Sequence, residues 1–154
     1  MSDLPETMLR CPVPRPMAHT RLICVPHAGA GASIYQKWSS QLPETIELLA
    51  LQLPGREERL AENPFTNWHP MQESVCRALD HLPPGPVAFF GHSLGALIAL
   101  SAARYIAASS RRLQHLFVSG RHWPGEQAEE KIDSSHLSDD ELLELFTARY
   151  GTQG

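Results

Sequence analysis

From Arg21 onward the chain alternates between two kinds of hydrophobic pattern. Four short runs are continuously apolar: Leu22-Ile23-Cys24-Val25, Leu48-Leu49-Ala50-Leu51, Val87-Ala88-Phe89-Phe90 and Leu116-Phe117-Val118. Runs of this length without polar alternation predict strands covered on both faces in a parallel sheet. Between them, apolar positions recur at helical spacing. Ile34, Trp38 and Leu42 form one stripe. Met71, Val75, Ala78, Leu79 and Leu82 form another, with Pro70 suited to a first helical turn. A third helix leaves the 91–95 region with Leu94, Leu97, Ile98, Ala102 and Ile106, and its small Ala96, Ala99 and Ala103 permit close approach to a sheet. Strand–helix–strand alternation of this kind predicts an α/β fold of about four parallel strands joined by right-handed crossovers.

The two ends read differently. Residues 1–20 carry Pro5, Pro12, Pro14 and Pro16 and are expected to form an extended arm with little regular structure. Residues 21–121 hold the strand and helix signals, and 122–154 form a separate tail. The stretch 121–135 is polar, with Pro124 and Gly125, and reads as loop. Ser138-Asp139-Asp140-Glu141 then makes a capping box, flanked by Leu137 and Leu142 as a hydrophobic staple. Leu142, Leu143, Phe146 and Tyr150 share one side of the ensuing helix, which Gly151 can end. A helix that leaves a strand without returning to another is placed to cap a site.

Composition narrows the class. With 154 residues, 42% hydrophobic and 19% charged, the chain has the make-up of one globular domain. A net charge of −4 argues against a nucleic-acid surface. The apolar stretch from Val87 to Ala108 is interrupted by Gly91, His92, Ser93 and Arg104, so no membrane span is expected. Asp3 and Glu6, with no apolar run near them, give no secretory signal. Cys11, Cys24 and Cys76 are odd in number and widely spaced; they suggest neither a disulfide framework nor a zinc site, and reduced thiols point to a cytoplasmic protein.

The candidate chemistry lies at the ends of two of the predicted strands. Gly91-His92-Ser93-Leu94-Gly95 is a G-x-S-x-G motif after one strand and before a helix, the context a nucleophile elbow requires. A serine in so sharp a turn needs neighbours without side chains, and the helix N-terminus behind it directs N–H groups at a developing oxyanion. Leu94, the residue after Ser93, is the natural first oxyanion donor. The loop His27-Ala28-Gly29-Ala30-Gly31 follows the first apolar run, where a second donor, the Ala28 N–H, is expected. There is no G-x-G-x-x-G and no G-K-[ST], which disfavours a phosphate loop. His92 is expected to pack or to hydrogen-bond behind the site. Arg56 and Arg121 read as locally paired charges, or as attractants for an anionic ligand or an acidic partner. Trp38 and Trp68 read as packing residues, and Trp123 as a residue that could touch an acyl chain.

Four motifs in order, Val25-Pro26-His27-Ala28-Gly29, Leu53-Pro54-Gly55-Arg56, Gly91-His92-Ser93-Leu94-Gly95 and Ser119-Gly120-Arg121, resemble the type II thioesterases of non-ribosomal peptide and polyketide synthesis. The resemblance runs from about Arg21 to Gly154, and the helix over 137–151, followed by Thr152, is similar to that family's lid helix. It implies an α/β-hydrolase fold in its N-terminal part. It also implies removal of stalled or aberrant acyl groups from the phosphopantetheine arm of an acyl or peptidyl carrier protein, with no cofactor of the enzyme's own. Ser93 would be the nucleophile, and Ala28 and Leu94 the oxyanion donors. Members of that family place the triad acid and histidine after the lid, so both are expected beyond Gly154, with the remaining core strands. Downstream of Ser93 stand Asp133, Asp139, Asp140, His115, His122 and His136, and none of them is assigned a triad role. Two alternatives stay open: a serine esterase or lipase acting on free esters, and an inactive chain that binds acyl groups or carriers without turnover.

Overall fold

The computed structural model of the chain describes residues 8–120 and Ser138. By contacts the chain divides into two compact units, Met1–Arg121 and His122–Gly154. The helix over 137–151 and, apart from Ser138, its capping box lie outside the described residues, as do Arg121, His122, Trp123, Asp133 and His136.

Among the described residues the strands and α-helices follow in order: β1 (Leu9–Arg10), β2 (Thr20–Val25), β3 (Ile46–Leu51), α1 (Trp68–Asp80), β4 (Val87–His92), α2 (Leu94–Ala108) and β5 (Leu113–Ser119). They build one sheet in the order β1-β3-β2-β4-β5. Strands β3, β2, β4 and β5 run parallel, and β1 lies antiparallel against β3 with Leu9 opposite Leu51. The sheet therefore has one strand more than the apolar runs predict. The fifth comes from the proline-rich arm, where two residues are enough to pair with the edge of β3.

Alternation along each inner strand feeds two cores, because successive side chains point to opposite faces. Ile23, Val25, Leu49, Leu51, Val87 and Phe89 face one side and pack with α1 and α2. Leu22, Cys24, Leu48, Ala50 and Ala88 face the other and pack with Ala32 and Tyr35. Helix α1 buries Met71, Ser74, Val75, Ala78 and Leu79, the expected stripe with a serine added. Helix α2 buries Gly95, Ala96, Ala99, Ala102 and Ala103 beside Ile98 and Ile106, so small residues set its close approach to the sheet.

Two expectations change. The segment read as a helix through Ile34, Trp38 and Leu42 is a 3-10 helix, Ala32–Trp38. Three residues per turn put positions 32, 35 and 38 on one side. Ala32 and Tyr35 are accordingly buried, and Trp38 meets Phe90 edge-on with ring centroids 4.9 Å apart, while Ile34 is exposed. The run at 116–118 is not covered on both faces. Strand β5 is the outer strand of the described sheet, and Phe117 is 48% exposed.

Candidate active site

The carboxyl ends of β2 and β4 lie side by side, with Val25 paired to Gly91. From β2 the chain turns aside to β3 through the 3-10 helix on one face; it returns past β2 to β4 through α1, which packs on the other. Connections that diverge in this way leave a crevice outside the strand ends, the usual ligand position in an open α/β sheet.

Ser93 stands in that crevice between β4 and α2, at φ 54° and ψ −117°. A positive φ in a residue bearing a side chain is strained by roughly 1–3 kcal/mol and persists only where the surroundings hold it. Its surroundings do so on both sides. A Cβ on Gly91 would collide with the Gly95 carbonyl and would lie 2.7 Å from the Ala96 Cα. A Cβ on Gly95 would collide with the Val25 carbonyl oxygen and would lie 2.6 Å from that of Pro26. Both motif glycines are thus required by backbone-to-backbone approach. The Ser93 N–H donates to the Ser119 carbonyl at 2.9 Å, which ties the turn to β5.

Leu94 opens α2, and no side chain caps that helix. The first N–H groups of a helix have no intrahelical acceptor. The start of α2 therefore puts a positive dipole end beside Ser93. The second expected donor, Ala28, lies in the exposed loop that follows Pro26, whose carbonyl touches Gly95. The same loop brings His27 to 5.9 Å from His92, ring centroid to centroid. Ser93, Leu94 and the Ala28 loop are thus brought together at one end of the sheet.

Among the described residues no histidine hydrogen-bonds the Ser93 hydroxyl. His92 Nδ1 is 3.1 Å from the Ser119 hydroxyl, the bond behind the site that its place in the motif suggests. The His27 ring turns back on the Ala28 carbonyl at 2.9 Å. His115 lies on β5 and stacks on Phe117 at 4.3 Å. Arg56 donates to the neighbouring Gly55 carbonyl at 2.8 Å, so its charge is used inside its own turn. Gln52 escaped the sequence reading, yet it is fully buried and accepts the Ala32 N–H at 2.7 Å. Its only signal in the sequence is a polar residue directly after the apolar run 48–51. Among the described residues no group of three His, Cys, Asp or Glu side chains is placed to hold a metal ion. No described helix is long and apolar enough to cross a membrane.

A mostly parallel sheet with a strained serine between strand and helix defines the α/β-hydrolase class, to which solved structures similar to this one also belong. The thioesterase domain family matches residues 20–153, and the chain belongs to that family. It is 43% identical over 136 residues to the gramicidin S biosynthesis protein GrsT of Aneurinibacillus migulanus, covering 88% of this chain and 53% of that protein. It is 36% identical over 152 residues to thioesterase PikA5 of Streptomyces venezuelae, covering 86% and 54%. The type II thioesterase BorB from the borrelidin biosynthetic cluster superposes with a TM-score of 0.79 at 34% identity, over 93% of this chain and 58% of that one. The chain spans about half the length of the curated relatives it matches.

Proposed function

We propose that the chain carries the nucleophile and oxyanion half of a thioesterase site that acts on acyl groups held as thioesters on carrier proteins. The observation that carries this reading is the strained φ of Ser93 at the N-terminus of the uncapped helix α2. In the reaction, Ser93 Oγ bonds to the thioester carbonyl carbon and gives up its proton to a base outside the described residues. The carbonyl oxygen takes negative charge facing the Leu94 and Ala28 N–H groups. The carbon–sulfur bond then breaks, the phosphopantetheine thiol leaves with a proton, and water hydrolyses the acyl-enzyme. Losing one such donor typically costs about 2.7–4 kcal/mol of transition-state stabilisation. No metal or organic cofactor enters these steps. Relatives named for gramicidin S biosynthesis and the borrelidin cluster support this substrate class, and the reading carries with it a carrier protein as partner and a cytoplasmic setting.

Steady-state hydrolysis of a short-acyl carrier-protein thioester, with Ser93→Ala as control and p-nitrophenyl esters for comparison, tests the reading. Expected, in protein that also holds the base, is Ser93-dependent release of the carrier thiol, with the carrier thioester preferred. Preference for the free ester favours an esterase, and binding of the acyl carrier without Ser93-dependent release favours a non-catalytic role.

A further inference from the structure

The residues that follow β3 hold the loop that carries Ala28. Gln52 is fully buried and uses every polar group it has. Its Oε1 accepts the Ala32 N–H at 2.7 Å, and its Nε2 donates to the Arg56 carbonyl at 2.8 Å. Its backbone N–H donates to the Met8 carbonyl at 2.7 Å, and its carbonyl accepts from Arg59 Nη1 at 2.8 Å. Arg59, itself buried, is fixed by a two-pronged pair with Glu62 at 2.7 and 2.6 Å. The Arg59 carbonyl in turn accepts the Gly55 N–H at 2.9 Å. One step further along the same segment, the Glu57 carboxylate takes the Ser33 N–H at 3.2 and 3.3 Å and also the Ser33 hydroxyl. Glu57 does so from a positive φ of 47°.

The loop needs such a hold. His27, Ala28 and Gly29 are exposed, and an added Cβ at Gly29 would meet nothing within 4 Å, so packing does not fix its course. At its near end Val25 is held, its carbonyl accepting the Tyr35 hydroxyl at 2.9 Å. Its far end is held at Ala32 and Ser33.

We propose that Gln52 and Glu57 are positioning residues that clamp the far end of the loop and so aim the Ala28 N–H at the carbonyl bound to Ser93. The proposal rests on the reading of Ala28 as an oxyanion donor. It also gives the Leu53-Pro54-Gly55-Arg56 motif a task, since Gly55 and Arg56 supply the turn that presents Gln52 and Glu57 together.

Two measurements on the full chain test it: hydrogen exchange of peptides spanning 26–33, and the rate at which a fluorophosphonate modifies Ser93. Gln52→Met keeps the volume and removes both amide bonds, and losing a buried hydrogen bond predicts exchange faster by about tenfold or more in 26–33. Modification of Ser93 slows by a similar factor, while exchange in the body of α2 is unchanged. Gln52→Glu retains an acceptor for the Ala32 N–H but loses the donor to the Arg56 carbonyl, so it recovers both readouts only in part, which a merely structural loss would not give. Glu57→Ala changes an exposed side chain and gives the same pattern at about threefold, the scale of a solvent-facing hydrogen bond. A folded Gln52→Met protein with unchanged exchange in 26–33, or with a loosened loop and an unchanged Ser93 rate, overturns the proposal. If Gln52→Met does not fold, Glu57→Ala decides by the same two readouts, and no change in either overturns it. Labelling that survives Ser93→Ala instead defeats the nucleophile reading, and the exchange data still judge the clamp.

Discussion

Alanine in place of Gly95 adds one methyl group where the start of α2 meets the end of β2. That methyl would overlap the Val25 carbonyl oxygen and stand 2.6 Å from the Pro26 oxygen and 2.8 Å from the Val25 carbonyl carbon. All three are backbone atoms of a buried strand end, so no flexible side chain can yield. Two effects oppose each other. Alanine favours helix over glycine by up to about 1 kcal/mol. Overpacking costs about 1–3 kcal/mol, and a backbone clash belongs at the upper end. The net is a loss of about 1–2 kcal/mol, which for a chain of 154 residues lowers Tm by roughly 2–8 °C. Circular dichroism melts read this directly. Gly29→Ala is the companion measurement: it meets no atom within 4 Å and pays only for its φ of +82°, roughly 1–2 kcal/mol. A Gly95→Ala protein as stable as the parent, or more stable, would refute the claim that this contact sets the approach of helix to strand.

Other outcomes follow from the same geometry. Ser93→Gly relieves a strained φ and raises stability by about 1 kcal/mol in urea titration while abolishing fluorophosphonate labelling. Leu94→Ala retains most labelling, whereas Leu94→Pro removes an N–H at a helix position that tolerates proline and slows labelling about 10²–10³-fold in protein whose circular dichroism is unchanged. Burial pushes the Cys24 thiol from its ordinary 9.0 up to about 12, and burial, with Cys24 next to it, raises Tyr35 as well. Both groups are neutral when protonated and hold their protons more tightly when folded. Their contribution to stability is therefore complete below pH 9 and falls as pH rises toward 12, by up to about 1.4 kcal/mol per pH unit per group. Urea midpoints measured across pH 8–11 check this, and a flat profile in that window would contradict it; Tyr35→Phe should shallow the decline.

Much of this architecture was legible because the inner strands are buried on both faces and so appear as unbroken apolar runs. Helix α1 was legible because its stripe faces one core. The 3-10 helix was not, since Ile34, Trp38 and Leu42 satisfy a helical period while the buried pair is Ala32 and Tyr35. Strand β1 was hidden because two residues carry no period, and only β3 gives them a partner. In the site, Ser93 and Leu94 were readable from glycine spacing, whose cause is backbone approach and therefore local. Gln52 was not readable, because its value lies in partners 4, 7 and 20 positions away that only the fold brings near.

Strand register explains why motifs so far apart in sequence belong to one site. Cys24 pairs with Ala50 and with Phe90, and His92 pairs with Ser119. Two residues beyond Cys24 and Ala50 the chain reaches Pro26 and Gln52, so the ends of β2 and β3 finish level with one another. Gly91 and Val25 are paired likewise, and Ser93 follows at once. The resemblance motifs at 25–29, 53–56, 91–95 and 119–121 each begin at or next to the carboxyl end of β2, β3, β4 and β5. Adjacent parallel strands put those ends in one row, in the order β3, β2, β4, β5. The row runs from the Gln52 turn through the Ala28 loop and Ser93 to Gly120, where an added Cβ would strike the His92 ring. A substitution that slips β2 against β4 by one residue would therefore move the Ala28 loop away from Ser93 while leaving every motif intact in the sequence.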